Sequence, residues 1–208
     1  MVKSVKIIEV VHNKRGQIFV RKPKITRDEL LVRCSNTFRK YGFHGTTMDM
    51  LASACDLTKA TFYHHYSNKE ELMKDVLLWT HEKIKHNLFS IAYDEKLEPD
   101  IRLELMGKKS KKLFQEDSIG CLMGVVAIDA AYTKADLMGP IRDFLDDWAL
   151  ALSHVFAIKF GEIEAKQIAR QLVAEYEGAI LMARIYNDAT MIEKVTEKAL
   201  MKLNSVAA

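Results

Sequence analysis

Four helix starts fall close together between Thr26 and Glu70, and this punctuation constrains the fold more than any other feature of the chain. Thr26-Arg-Asp-Glu29 has the form of a capping box, in which the threonine hydroxyl accepts from an early backbone N–H and the glutamate reaches back to the cap. Leu30, Leu31, Cys34, Phe38 and Tyr41 then recur at helical spacing, and Gly42 is placed to end that helix in a left-handed conformation. Thr47 to Ala54 reads as a short helix, Asp56-Leu57 as a tight turn, and Thr58 as the cap of a second short helix reaching about His65. Ser67-Asn-Lys-Glu70 is a further capping box that opens a long helix, with Leu72, Val76, Trp79, Ile84 and Leu88 near one stripe. Two short helices across a tight turn, with one helix before and a long one after, make a helix-turn-helix arrangement.

The remainder is helical as well. Nine glycines and three prolines in 208 residues are too few turn formers for a sandwich or barrel of many short strands. Pro99 suits a first helical turn, with Ile101, Leu105, Leu113 and Phe114 behind it, and a more apolar helix is expected from Ser118 to Tyr132. Pro140 opens another, with a core face of Ile141, Phe144, Leu145, Trp148, Leu152, Val155 and Phe156 and a stop at Gly161. Two more follow, about Glu162 to Tyr186 and Thr190 to Leu203, so the predicted fold is all-α with about nine helices. Cys34, Cys55 and Cys121 show neither metal nor redox spacing; no disulfide framework is expected, and a reducing compartment fits. The longest apolar run, near residues 120–131, is interrupted by Asp129 and too short to span a bilayer. With no secretory pattern at the start either, the expected location is cytoplasmic.

The formal charge of +3 hides an asymmetry. Residues 1–70 carry 13 Lys and Arg against 6 Asp and Glu, whereas residues 71–208 carry 18 against 22. A basic front suits a polyanion and leaves the acidic back for another task. The first 24 residues hold seven of those cations against Glu9 alone, with β-branched clusters on either side of Asn13-Lys14-Arg15-Gly16. That pattern fits a short hairpin and, equally, a basic arm that orders only on a partner. Functionally it is either a DNA groove contact or an extension without a role.

The second short helix of a helix-turn-helix must enter a major groove, so its outer face carries small and polar groups while its inner face is anchored. In residues 58–66, TKATFYHHY, Phe62 and Tyr66 stand four apart on the inner face and leave Lys59, Ala60, Thr61, Tyr63, His64 and His65 largely outward. The stretch from Phe38 to Leu72, FRKYGFHGTTMDMLASACDLTKATFYHHYSNKEEL, resembles the DNA-binding region of the TetR/AcrR family of bacterial regulators, typically F...G...TT...IA..AGVS.GT.Y.HF..KEEL. The resemblance implies a role for each matching position. Thr46 and Thr47 fall where the family uses a hydroxyl and a helix N-terminus at a DNA phosphate. Lys59, Ala60 and Thr61 fall where the recognition helix approaches base edges, and His64 shares that DNA face. Tyr63 and His65 match phosphate-contacting positions, and Lys69 matches a backbone-contacting lysine at the start of the long helix. The chain departs from the family at Asp56 and Ala60, both in place of common glycines; Asp tolerates the left-handed region better than most residues.

Further on, Gly120-Cys-Leu-Met-Gly124 is similar to the family's GCLLG, and Glu177 to Arg184, EGAILMAR, to its EGALLLAR. The resemblance implies that the last helices pair with their copies in a homodimer. Ala174, Gly178, Ala179 and Ala183 permit close helix approach, while Leu172, Tyr176, Met182 and Tyr186 supply area, and the final helix adds Ile192, Val195 and Leu203. Trp79, Phe89, Met106, Phe114, Cys121, Met123, Trp148 and His154 are the candidates for lining an effector pocket, although an ordinary core has the same composition. The implied function is a transcriptional regulator, more specifically a repressor, that binds a palindromic double-stranded DNA operator and is released by a largely apolar small molecule. Control by a protein partner, or activation, is the alternative. The implied plan is a basic extension over 1–24, a three-helix DNA-binding domain over 25–70 and an effector-binding and dimerisation domain over 71–208.

Other chemistry finds no support. His64 and His65 are adjacent and point to different sides of a helix. His81-Glu82 with His86 misses the zinc-protease spacing, because Lys85 holds the required place. No nucleophile elbow or phosphate loop is present, so neither a cofactor, a metal nor an enzyme is expected.

Overall fold

The computed structural model describes residues 25–115 and 120–205, with the backbone of residues 9–12 and 18–21. Two short strands, β1 (Glu9–His12) and β2 (Ile18–Arg21), pair antiparallel with Val10 opposite Val20 and Val11 opposite Phe19. The turn expected at residues 13–16 lies outside the described residues. Helices follow: α1 (Arg27–Gly45), α2 (Met48–Ala54), α3 (Lys59–His65), α4 (Lys69–Asn87), α5 (Pro99–Gln115), α6 (Leu122–Ala130), α7 (Met138–Tyr186) and α8 (Thr190–Asn204). Gly161, at φ 72° and ψ 168°, interrupts α7. Counted as two, α7 brings the α-helices among the described residues to nine, as the periodicity predicts. The apolar helix expected from Ser118 begins instead at Leu122, and residues 116–119 lie outside the described set.

Local chemistry explains most boundaries. At α1 both halves of the capping box form: Thr26 Oγ1 accepts from Glu29 N at 3.2 Å and Glu29 Oε2 accepts from Thr26 N at 2.8 Å. Gly42 takes a φ of 72° that a side chain would resist, and so breaks the helix before its last turn. The box at the start of α4 is shifted by one residue from its expected place. Asn68 Oδ1 caps Glu71 N at 2.8 Å, and Glu71 Oε2 accepts from Ser67 N and Ser67 Oγ. Asparagine is as good a cap as serine, and Asn68 and Glu71 make the same frame one residue on.

Contacts divide the chain into a unit ending at Val76 and a unit beginning at Leu77, so the boundary between the units falls inside α4. The first turns of α4 belong with α1 and α3 because Asp75 accepts from Arg27 at 2.5 Å and from Tyr66 Oη at 2.6 Å. In this unit Leu30, Leu31, Cys34, Phe38, Leu51, Phe62 and Leu72 are wholly buried. The C-terminal unit is centred on aromatic rings. Phe89 stacks on Trp148 at 6.2 Å, Trp148 lies 5.5 Å from Tyr176, and Tyr176 Oη meets Thr196 Oγ1 of α8 at 2.8 Å. α5 and α8 approach closely at Gly107, and Lys111 pairs with Glu193 across the same contact.

Candidate nucleic-acid interface and C-terminal cavity

α3 is built by its two ends. Thr58 Oγ1 accepts from Thr61 N at 3.2 Å and shares a hydrogen with Thr61 Oγ1 at 2.8 Å, which fixes the first turn. The turn before it rests on Asp56, at φ 54°, whose carboxylate accepts from Arg33 Nη1 at 2.6 Å; the same guanidinium donates to Ala54 O at 3.1 Å. This ion pair spans the turn at the position where the motif that the chain resembles commonly has glycine. On the inner face Phe62 is wholly buried and Tyr66 nearly so. Lys59, Ala60, Tyr63 and His64 are exposed, and Thr61 and His65 are half-buried. Lys59 pairs with Asp49 of α2 at 2.8 Å, which raises its pKa. Burial, and then the neighbouring His64, hold His65 below the ordinary imidazole range. The result is a small, polar, outward face on a helix whose other side is anchored.

Two residues assigned to DNA phosphates have other partners in the structure. Thr46 is 1% exposed and its hydroxyl donates to Gly42 O at 2.6 Å. Lys69 donates to Phe43 O at 2.6 Å and Thr46 O at 2.7 Å, with its ammonium 4.4 Å from the Phe43 ring centre. The end of a helix leaves carbonyls without intrahelical partners, and a cation there is doubly favoured. These contacts span 23 and 26 residues, so no local pattern announces them. Thr47, by contrast, is exposed and caps α2, accepting from Met50 N at 3.2 Å.

In the C-terminal unit a cavity of about 480 Å³ lies between α6 and α7. Its wall is apolar, with Met123, Ile128, Ile141 and Leu181 among its residues, and Glu177 and Arg184 supply its charged groups. Of the eight pocket candidates only Cys121 and Met123 line it. Phe89 lines a separate groove of about 410 Å³ beside Lys85, Tyr93 and Asp147. Trp148 and Met106 are buried in the core. Trp79, Phe114 and His154 are half-buried, with Lys83 over the Trp79 ring at 5.5 Å and Tyr93 against His154 at 4.7 Å. The eight therefore do not converge on one space: an apolar residue near the middle of the chain can face a void or a neighbour with equal ease. Glu177 lines the cavity at a position that the sequence pattern does not single out. Burial pushes its carboxyl up, and its Oε1 has no hydrogen-bond partner. The available signal was a lone acid inside the apolar run EGAILMA.

The interface candidates separate by helix face. Leu172, Tyr176, Ala179 and Ala183 are buried in the chain's own core, together with Ile192 and Leu203 of α8, whereas Val195 is half-buried. Ala174, Gly178, Met182 and Tyr186 are exposed, and Leu181 and Ile185 extend that outward strip. The two sets lie on different faces of one helix, as their spacing requires. Among the described residues no group of three His, Cys, Asp or Glu side chains is placed to hold a metal ion, and no helix is long and apolar enough to cross a membrane.

Comparison with known proteins agrees at both ends of the chain. Residues 33–76 match the profile of bacterial regulatory proteins of the tetR family, and residues 104–198 that of the LmrA/YxaF-like transcriptional regulator C-terminal domain; together these exceed half of the chain. IcaR, the negative transcriptional regulator of the biofilm operon icaADBC of Staphylococcus epidermidis, is 26% identical over 167 residues, covering 66% of this chain and 89% of IcaR. The transcriptional repressor DhaR of a Mycobacterium species is 21% identical over 76% of this chain and 82% of its own length. A TetR transcriptional regulator from Legionella pneumophila superimposes with a TM-score of 0.78 at 21% identity, over 87% of this chain and 99% of that one. At that identity the likeness is one of fold.

Proposed function

Because the chain belongs to the TetR family of transcriptional regulators, we propose that it binds a palindromic operator as a homodimer, represses transcription there, and is released by a small, largely apolar effector. The observation that carries this reading is α3, a capped and anchored helix presenting Lys59, Ala60, Tyr63 and His64 outward. Ala60, Thr61 and His64 read base edges, while Tyr63, His65 and the exposed Thr47 meet phosphates. Two copies of α3 enter successive major grooves, which sets the half-sites about one helical turn apart. The outward strip of Ala174, Gly178, Met182 and Tyr186 supplies an isologous interface. The C-terminal cavity has the size of a small-ligand site. α4 begins in one unit and continues in the other, and an effector can bias its conformation by no more than its differential affinity for the two states.

Selection of random DNA fragments on the purified protein tests the reading, with an enriched inverted repeat as the expected outcome. No enriched repeat at low or moderate salt would overturn it. On the selected operator, Tyr63→Ala weakens binding to all sequences and lowers the salt slope, whereas Thr61→Ala and His64→Ala change which bases are preferred. Control by a small molecule favours thermal stabilisation by members of an apolar compound panel. A panel without any response favours control by a protein partner.

A further inference from the structure

We propose that Cys34 and Cys55 form an oxidisable thiol pair inside the N-terminal unit, and that closing them into a disulfide lowers operator affinity; this second part rests on the function proposed above. The two residues stand 21 apart in sequence without redox spacing, yet their sulfurs lie 3.7 Å from each other. Cys34 sits on α1 and Cys55 caps the end of α2, and they are 0% and 2% exposed. Hydrogen bonding assigns them different roles. Cys55 Sγ lies 3.8 Å from the Leu30 carbonyl, to which it can only donate, and this leaves Cys34 to donate to Cys55. A sulfur that accepts a thiol hydrogen is the one more readily deprotonated. The Arg33 guanidinium, fixed on Ala54 O and Asp56, favours the Cys55 thiolate, while burial and the Asp56 carboxylate oppose it. Cys55 is therefore the attacking thiol and Cys34 the resolving one.

With a peroxide as oxidant the electrons balance. Cys55 Sγ attacks one peroxide oxygen and the O–O bond breaks, giving a sulfenic acid; the leaving hydroxide takes the thiol proton as water. Cys34 Sγ then displaces the sulfenic hydroxyl, which leaves with the Cys34 proton as a second water. Two thiols have lost two electrons, and the peroxide has gained them. The disulfide requires a sulfur separation of about 2.0 Å, so the pair must close by about 1.7 Å. Cys55 is followed at once by Asp56, whose positive φ sets the path from α2 into α3. Drawing Cys55 toward α1 pulls on that turn, and a close-packed interior passes the displacement on instead of absorbing it.

The full chain is treated with hydrogen peroxide, alkylated under denaturing conditions and digested, while binding to the selected operator is measured in parallel. The Cys34 and Cys55 peptides are expected to be recovered joined and two hydrogens lighter, and dithiothreitol should separate them. Operator affinity should fall on the order of tenfold, comparable to losing one good base contact, and return with the same reductant. Cys34→Ala and Cys55→Ala should each bind like the reduced protein and cease to respond. Recovery of both residues as alkylated thiols after a peroxide dose that oxidises Cys121 overturns the proposal. A crosslink with unchanged affinity overturns its regulatory part. The mass readout needs no operator, so failure of the regulator reading remains distinguishable. Should either variant not fold, the wild-type time course decides: crosslinking and affinity loss must share one rate, and unequal rates refute the link.

Discussion

The two units offer candidate sites on opposite sides of their helices. In the N-terminal unit the proposed DNA-binding surface is the outside of a seven-residue helix, held by Thr58 at one end and by Phe62 and Tyr66 beneath. In the C-terminal unit the corresponding feature is a space between α6 and α7, shaped by whichever side chains fail to fill it. A surface held by an anchor fails when the anchor is removed, whereas a region shaped by volumes fails when one is added. Phe62→Ala sharpens the first half of that contrast. It deletes a wholly buried ring under α3, at an expected cost of about 3–5 kcal/mol in urea unfolding, with loss of operator binding. A cost under about 1 kcal/mol would mean that the caps, not the anchor, hold the helix.

Gly107→Ala tests how the C-terminal unit takes added volume, at the contact of α5 with α8 away from the cavity. A Cβ there would lie 2.5 Å from Thr196 Oγ1 and 2.9 Å from Thr196 Cβ, and closer still to Cγ2. Thr196 cannot easily retreat, because its hydroxyl is shared with Tyr176 Oη at 2.8 Å and donates to Ile192 O at 3.2 Å. One methyl group is therefore expected to cost about 1–3 kcal/mol by overpacking. Adding Thr196→Ala to the same chain should recover part of the loss, since neighbouring sites are not additive. Full additivity of the two changes would show that the clash is relieved elsewhere.

The contrast also explains what was legible in the residues. Thr26, Thr47 and Thr58 act on backbone groups three positions away, and such bonds are written in the local order of residue types. At α4 the cap lies one position beyond the expected Ser67, because Asn68 and Glu71 make the same frame. Thr46 and Lys69 are legible as residues of interest, but the two carbonyls that Lys69 meets, 26 and 23 residues away, are not. The pair of Cys34 and Cys55 could not be read at all, since the crossing of α1 and α2 creates it. The cavity was read only in part. Phe89 and Trp148 have the composition of pocket walls, but they stack on one another.

Lys69→Met sharpens the distinction inside the N-terminal unit, between residues that serve the fold and residues that serve the operator. It keeps the aliphatic stem and removes the donors to Phe43 O and Thr46 O, so an expected cost of about 1–2 kcal/mol appears in unfolding. Tyr63→Ala, at a residue 42% exposed, should leave unfolding nearly unchanged while weakening DNA binding. If Lys69→Met altered operator affinity alone, the ammonium would have to leave its carbonyls in the complex.

The smallest expected effect separates the units by pH. Burial and His64 hold His65 below the ordinary imidazole value, so on acidification the unfolded chain takes up its proton first. More protons are then bound unfolded than folded, and stability of the N-terminal unit falls as pH drops through about 6.5 toward the depressed folded value. Asp147 behaves differently: Lys85, and more weakly His81, hold its carboxyl below the ordinary range. Its contribution in the C-terminal unit is present above the ordinary carboxylate value, near 3.9, and is lost only as pH falls through the lower folded value. Hydrogen exchange over α3 should accordingly rise on going from pH 7 to 6 after correction for intrinsic rates, while exchange around Asp147 stays unchanged. His65→Asn should remove the response of α3, and its persistence would assign the sensitivity to another group. Operator binding carries the opposite sign. A phosphate beside His65 favours the imidazolium, so affinity should rise over the same interval in which α3 loosens, and His65→Asn should flatten that rise. Affinity that falls together with stability would remove His65 from the phosphate contacts and leave Tyr63 and Thr47 to position the helix.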